Sequence, residues 1–177
     1  MSQEIAQRFF GKYRGIVMNN IDPDGVGRLL VSVPDVLGPG APSSWAVPCV
    51  PLAGPTGPPM GVYFVPPIGA GVWVEFERGD ANYPIWVGCR WGLRSDVPPA
   101  VMLGLPVSPS IVLQTLGQNS IAISDLPGPL GGIMLKSTTG ASIIVNDTGI
   151  YITNGKGAMI TMVGPAVDIN TGAMTII

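Results

Sequence analysis

The chain has 177 residues, of which 46% are hydrophobic and only 11% charged, with a formal net charge of −2 at pH 7. This charge balance excludes a basic surface for nucleic acid, and no apolar run reaches the roughly 20 residues of a membrane-spanning helix. A mean hydropathy of +0.42 predicts burial between subunits, because a monomer would expose too much apolar surface. The 25 glycines and 19 prolines predict an all-β fold of short strands and tight turns.

Residues 1–12 form an N-terminal arm in which Ile5, Phe9 and Phe10 share an apolar edge over one or two helical turns. We expect this edge to dock on another surface. The segment carries no apolar core of a secretory signal, which predicts synthesis in the cytoplasm.

Residues 13–95 contain five strand candidates in under a hundred residues, which is typical of a small closed barrel of the OB type. Turn signals at Asp22–Gly25 and Arg78–Ala81 separate some of them. In the fourth candidate, Val72, Val74 and Phe76 share one face, which we expect to close the barrel. The candidates are Tyr13–Asn19, Arg28–Val33, Trp45–Val50, Gly71–Glu77 and Pro84–Arg90.

The two cysteines, Cys49 and Cys89, lie in apolar strand-like runs. In a reducing compartment this placement predicts two buried thiols. A disulfide or a metal pair is the alternative, but without any histidine in the chain no zinc site can be completed. We therefore predict no metal and no cofactor.

Residues 96–110 are rich in proline and predict a stiff linker. From residue 111 to residue 177, apolar and polar residues alternate in short runs separated by Gly, Asn, Asp, Ser and Thr. Such runs cannot bury their apolar stripe within one chain, so we expect three copies to intertwine in a triple-stranded β-helix, with backbone hydrogen bonds between chains. About seven strands would give a shaft of roughly 30 to 35 Å. The clearest runs are 121–123, 133–135, 143–145, 150–152, 167–169 and 174–176.

Catalysis is not expected. The absence of histidine removes the commonest base for a serine or cysteine nucleophile, and the acidic residues lie in turns or on exposed strand faces. Asp80 follows a glycine between two strands and is typical of a turn. Gly155–Lys156–Gly157 lacks the spacing of a phosphate-binding loop.

Several motifs together resemble the phage baseplate spike proteins of the gpV and VgrG-like family. Gly11–Val17, followed by Asp22–Arg28 and Leu30–Pro34, is similar to that family's opening hairpin. Pro66–Phe76, followed by Gly79–Gly88, is similar to its sequence of a Pro-x-x-Gly turn, an aromatic-rich strand, a Gly-Asp turn and a final strand. The resemblance implies an N-terminal OB barrel and a C-terminal trimeric needle in a homotrimer. It also implies docking of the OB end on a baseplate hub, with Ile5, Phe9 and Phe10 as candidate contacts.

The family resemblance also implies a partner at the distal end. Some relatives end in a His-x-His iron site, which this chain lacks, so the apolar residues Met174, Thr175, Ile176 and Ile177 favour a separate tip protein of the PAAR type. The expected function is a central spike in a phage tail or a related particle. It would transmit the force of contraction and make transient contact with the target membrane.

Two other classes of protein remain as alternatives. An OB-fold binding module for an oligosaccharide or single-stranded nucleic acid would present a basic groove with exposed aromatic rings. Trp45, Trp73, Trp86 and Trp91 supply rings, but the charge balance opposes that reading. A β-helical lyase or hydrolase would need a longer solenoid with clustered charged residues.

Overall fold

The computed structural model describes residues 7–54, 57–103 and 110–176. The predicted all-β class is confirmed, since the only α-helix among these residues is the single turn α1, Pro34–Leu37. The chain divides into two compact units, Met1–Gly92 and Leu93–Ile177.

The first unit contains a five-stranded sheet in the order β2-β1-β6-β7-β3. All neighbours in it are antiparallel except β3 and β7, which run parallel. A separate two-stranded ribbon pairs β4 with β5. The strands are β1 Tyr13–Asn19, β2 Leu30–Ser32, β3 Val47–Pro48, β4 Ala53–Gly54, β5 Met60–Gly61, β6 Gly71–Phe76 and β7 Pro84–Arg90.

The core of this unit consists of the inward-facing residues of its sheet. Val72, Val74 and Phe76 alternate with half-buried neighbours along β6, as the sequence predicts. The buried Trp86 satisfies its indole N–H by donating to the carbonyl of Gly27 at 3.0 Å, because a buried polar group needs a partner. The other buried apolar residues are Val17, Leu29, Val31, Val33 and Ala46.

Two irregularities in strand register bend this sheet. In β1, Met18 is an extra residue between Val17 and Asn19 opposite β2, and in β7, Val87 is an extra residue opposite Trp73 and Val74 of β6. An extra residue in one strand kinks it and increases its twist, which curls the sheet over its core. The predicted OB-like architecture is thereby confirmed.

The hairpin between β1 and β2 contains the predicted turn at Asp22–Gly25. Gly25 adopts a φ of 65° and donates its N–H to the carbonyl of Asp22 at 3.1 Å. The left-handed conformation costs glycine little because it has no Cβ.

Two features of the first unit's backbone differ from expectation. The ribbon of β4 and β5 lies in a proline- and glycine-rich segment where no strand is expected. Residues 7–12 contain no helix, since the Phe9 N–H donates to the carbonyl of Gly79 at 2.8 Å and so aligns the arm with the loop after β6.

The prediction of two buried thiols is wrong, because Cys49 and Cys89 are both exposed. Cys49 follows Pro48, where β3 ends at the edge of the sheet. Cys89 lies near the end of β7, beyond the register shift.

The second unit is an antiparallel meander of eight strands, each bonded to its neighbours in sequence. The fold therefore has one strand more than the seven expected. Its strands are β8 Ile111–Gln114, β9 Ser120–Ser124, β10 Gly132–Lys136, β11 Ser142–Asn146, β12 Gly149–Thr153, β13 Met159–Val163, β14 Ala166–Ile169 and β15 Met174–Ile176.

Within the described residues, backbone hydrogen bonds join each of these strands to the neighbouring strands of the same chain. The sequence had instead predicted hydrogen bonds between different chains. The reason is that the connections are short enough for each strand to fold back on the one before it. Short 3₁₀ turns at Arg94–Asp96 and Pro99–Leu103 lie between the two sheets, and the second of them falls within the predicted linker.

Candidate assembly face

The register of the meander aligns two positions from every strand into two columns across the sheet. All positions in both columns are apolar. The first column is Ile111, Ile123, Ile133, Val145, Ile150, Met162, Val167 and Ile176, and the second is Leu113, Ile121, Leu135, Ile143, Ile152, Ile160, Ile169 and Met174. We call the surface formed by these two columns the assembly face.

The opposite face of the sheet is different in character. Its central column begins with apolar residues in β8 to β11 and becomes polar at Tyr151, Thr161 and Asp168. Its flanking positions include Lys136 and Thr153. Polarity therefore identifies the assembly face as the side of the sheet that requires a partner.

The assembly face is not covered by its own chain. Among the described residues of Leu93–Ile177, no hydrophobic side chain is fully buried, and Ile111 is 65% exposed. An apolar surface that continues across all eight strands of a sheet marks a protein interface.

Side chains in the turns hold successive hairpins together along the edges of the meander. Asn119 accepts a hydrogen bond through Oδ1 from the N–H of Thr138 at 3.1 Å. Asn170 does the same for the N–H of Met159 at 2.9 Å. At the other edge, both carboxylate oxygens of Asp147 lie 3.0 Å from the N–H of Gly128. These contacts fix the register that aligns the columns.

In the first unit, the carboxylate of Asp22 is tightly bonded. Its side chain accepts hydrogen bonds from the backbone N–H groups of Asp24, Val26 and Arg28, and it pairs with the Arg28 guanidinium at 2.6 Å. The Arg28 guanidinium holds the pKa of the Asp22 carboxyl well below its usual range. The group closes the hairpin turn, and every hydrogen bond it accepts comes from that same turn, so its low pKa has a structural cause.

The described residues contain few other groups of side chains that could bind a ligand or act in catalysis. Across residues 7–54, 57–103 and 110–176 no group of three or more potential metal ligands occurs. Asp80 lies in a turn, where its Oδ1 accepts from the backbone N–H of Asn82 at 3.0 Å. Two of the four tryptophans make contacts within the fold. Trp86 is buried in the core, and the ring centroid of Trp45 lies 5.5 Å from the guanidinium carbon of Arg28.

The predicted hub-docking residues separate into different environments. Phe9 packs against Phe76 and Tyr13, with ring centroids 6.2 Å from each. Phe10 is 72% exposed. Ile5 lies outside the described residues. Of Phe9 and Phe10, only Phe10 has a side chain that its own domain leaves exposed.

The predicted tip residues lie on or beside β15, the last strand of the meander. Met174 and Ile176 each belong to one of the apolar columns and are about half exposed. The side chain of Thr175 and the whole of Ile177 lie outside the described part of the chain.

Sequence reasoning missed two strands that contribute to the assembly face. Ile111 and Leu113 come from β8, and Ile160 and Met162 come from β13. Each pair has the same period of two as the recognised runs, so the signal was present in the sequence.

No helix in the described part of the chain is long and apolar enough to cross a membrane. Residues 13–91 match the family model for the type VI secretion system/phage-baseplate injector OB domain. Residues 110–175 match the model for the phage baseplate V C-terminal trimerisation domain. A comparison with curated proteins gives no match.

Proposed function

Because the chain belongs to the phage baseplate V family of injector proteins, we propose that it forms the central spike of a contractile injection particle and transmits the force of contraction to the target envelope. In general terms, the chain is a structural component of a phage or type VI secretion baseplate, in keeping with both matched families. The proposal adds the mechanical task and assigns no catalytic step.

The observation that carries the proposal is the assembly face. Three copies that turn these faces toward a common axis would bury two apolar columns per chain in one dry core, which accords with a trimerisation domain. At about 4.8 Å between neighbouring strands, eight strands give a shaft about 34 Å long. Such a shaft is suited to bearing load because its apolar core and its backbone ladders are both continuous.

We place the hub contact at the exposed Phe10 of the arm. Replacing Phe10 with alanine is expected to weaken binding of the purified trimer to its baseplate hub without changing the thermal stability of the chain. Phe9→Ala is expected to lower thermal stability instead, because Phe9 packs on Phe76. Equal hub binding by wild-type and Phe10→Ala chains would rule out this contact.

We place the tip contact at β15, which among the described residues pairs with β14 on one side only. A PAAR-type protein seated there would cover the main-chain edge together with Met174 and Ile176. Ile176→Lys is expected to reduce capture of such a protein; because Ile176 also belongs to the assembly face, capture is measured on the fraction of the variant whose native mass is trimeric. Capture at the wild-type level would argue against this location.

The mechanical role is tested on assembled particles. A tag on the chain should locate three copies at the centre of the baseplate in electron micrographs, and contracted particles should permeabilise target cells. Thr161→Asp, on the polar face, is expected to preserve both results. Finding the tagged chain away from the particle axis, or in a number other than three, would refute the proposal.

A further inference from the structure

The charged residues of the meander alternate in sign along the chain. Between residue 111 and residue 177 they are, in order, Asp125, Lys136, Asp147, Lys156 and Asp168. An antiparallel meander reverses its direction at every turn, so residues about one strand apart in the sequence lie at opposite edges of the sheet. The alternation therefore predicts that like charges collect at the same edge.

The structure separates the two signs in this way. We call the edge formed by the turns after β8, β10, β12 and β14 the first edge, and the edge formed by the turns after β9, β11 and β13 the second edge. Lys136 is the last residue of β10, and Lys156 lies in the turn after β12, so both cations are on the first edge. Asp125 and Asp147 directly follow β9 and β11, so both carboxylates are on the second edge.

Within one chain, these opposite charges are too far apart to neutralise each other. All four side chains are exposed. A strand of five residues such as β10 separates the edges by about 14–17 Å, whereas dissolved salt screens exposed charges over about 8–10 Å. The remaining charged residue, Asp168, lies inside β14 and accepts a hydrogen bond from the N–H of Gly172 at 3.0 Å, which ties it to its own turn. The two edges therefore present opposite charges to their surroundings.

A closed ring of three copies brings these unlike edges together. In a cyclic trimer every contact is heterologous, so the first edge of one copy adjoins the second edge of the next. Equivalent copies lie at the same height along the axis, where Lys136 and the turn of Asp125 differ by about half a strand spacing, or about 2.4 Å. The turns of Lys156 and Asp147 differ by about one spacing, or about 4.8 Å. Contact between two like edges would instead place equal charges together, which is unfavourable.

We infer that these four charges select the edge by which each copy joins its neighbour, with Lys136 paired to Asp125 of the next copy and Lys156 paired to Asp147 of the next copy. The inference rests on the proposed homotrimer. Because apolar burial has no direction, the assembly face alone leaves the pairing of edges open. An exposed ion pair contributes little to stability, so the charges act on the choice and alignment of the neighbour more than on the strength of the assembly.

Cross-linking in the intact full-length protein tests which edges meet. In a Cys49→Ser, Cys89→Ser background, Asp125→Cys together with Lys136→Cys places one thiol on each edge. A bis-maleimide linker shorter than one strand is expected to join neighbouring copies at all three contacts and to give covalent trimers on a denaturing gel. The matched control, Lys136→Cys together with Lys156→Cys, has both thiols on the first edge and should stay at the monomer mass.

Charge reversal tests whether the pairing depends on charge. Asp125→Lys is expected to lower the thermal midpoint of the trimer at low salt, because two lysines then face each other at every contact, and high salt should reduce the difference. Adding Lys136→Asp exchanges the two charges and should restore the wild-type midpoint. A double variant that is no more stable than Asp125→Lys would overturn the inference.

Native mass separates this inference from the proposed function. If the wild-type chain is trimeric but thiols on opposite edges give no covalent trimers, or the control thiols do give them, the inference is overturned and the homotrimer stands. A wild-type mass other than trimeric refutes the homotrimer and the inference with it.

Discussion

The two units of the chain use the same alternation of apolar and polar residues and reach opposite results. The sheet of the first unit curls at two register shifts and encloses a core of its own. The meander of the second unit runs through eight strands without a register shift and leaves its apolar side open. A strand pattern specifies which residues share a face, whereas bulges decide whether one chain can cover that face itself.

A charge on the assembly face is expected to have the largest effect on the protein. Ile160→Asp puts an unpaired carboxylate into each copy of the trimer core, at a cost of about 3–5 kcal/mol per copy. We expect the trimer to dissociate or fail to form, as measured by native mass. Thr161→Asp is the matched control, because its side chain lies one residue away on the opposite face and should leave the trimer intact. A trimer that tolerates Ile160→Asp would mean that this face is not the interface.

A cavity made in the core of the first unit tests whether that core is stable independently of the trimer. Leu29 is fully buried, so Leu29→Ala should cost about 2–5 kcal/mol of stability while the mass remains trimeric. Thermal unfolding followed by tryptophan fluorescence measures the change, because all four tryptophans lie in the first unit. Ile21→Ala, at a site 77% exposed, should alter stability by less than about 0.5 kcal/mol. Loss of the trimer in Leu29→Ala would show that the two units do not maintain their cores independently.

Glycines within one turn of the meander test whether stacked turns hold it together. A Cβ on Gly155 would lie 2.7 Å from backbone atoms of Gly140 and Thr139, whereas a Cβ on Gly157 would meet nothing within 4 Å. Both residues have a positive φ, so Gly157→Ala should cost about 1–2 kcal/mol. Gly155→Ala should cost more and increase amide exchange in β11 and β12. Equal effects of the two substitutions would show that contact between the turns contributes nothing.

Acid should affect the first unit through Asp22. Because the folded pKa of this carboxyl is lowered by Arg28, its contribution to stability is complete above the ordinary pKa of about 4 and is lost as the pH falls below that value. Asp22→Asn should reduce stability at neutral pH and flatten this acid dependence, as measured by thermal unfolding between pH 2 and 7.

Asp35→Asn is the control for the loss of stability in acid that we assign to Asp22. It removes an exposed carboxylate from the same unit and should keep the acid-dependent loss. An acid dependence that is unchanged in Asp22→Asn would show that other groups cause it.

Local patterns in the sequence located much of the fold. The ends of β1 and β7 agree with the expected Tyr13–Asn19 and Pro84–Arg90, because a period of two and flanking turn residues define a strand directly. β3 is only two residues long, whereas six were expected, because its pairing depends on how far β7 extends beside it. The ribbon of β4 and β5 escaped prediction for the same reason, since prolines and glycines signal turns and not the pairing between them.

For the candidate contact residues, too, the sequence predicted some properties and only the structure showed others. Met174 and Ile176 were recognised as exposed apolar residues, but only the register shows that they continue the two columns of the assembly face. Phe9 and Phe10 are adjacent and chemically identical, and the sequence offers no means to distinguish them. The fold packs Phe9 on Phe76 and leaves Phe10 exposed.

The sequence by itself determined the all-β class, the resemblance to spike proteins and the need for a partner, because each depends on composition and on spacing along the chain. The tertiary structure alone decided that the backbone ladder closes within one chain and that the cysteines are exposed. It also aligned the apolar residues of all eight strands into two columns. These features depend on register and curvature, which arise from pairing between segments and leave no mark in any single run of residues.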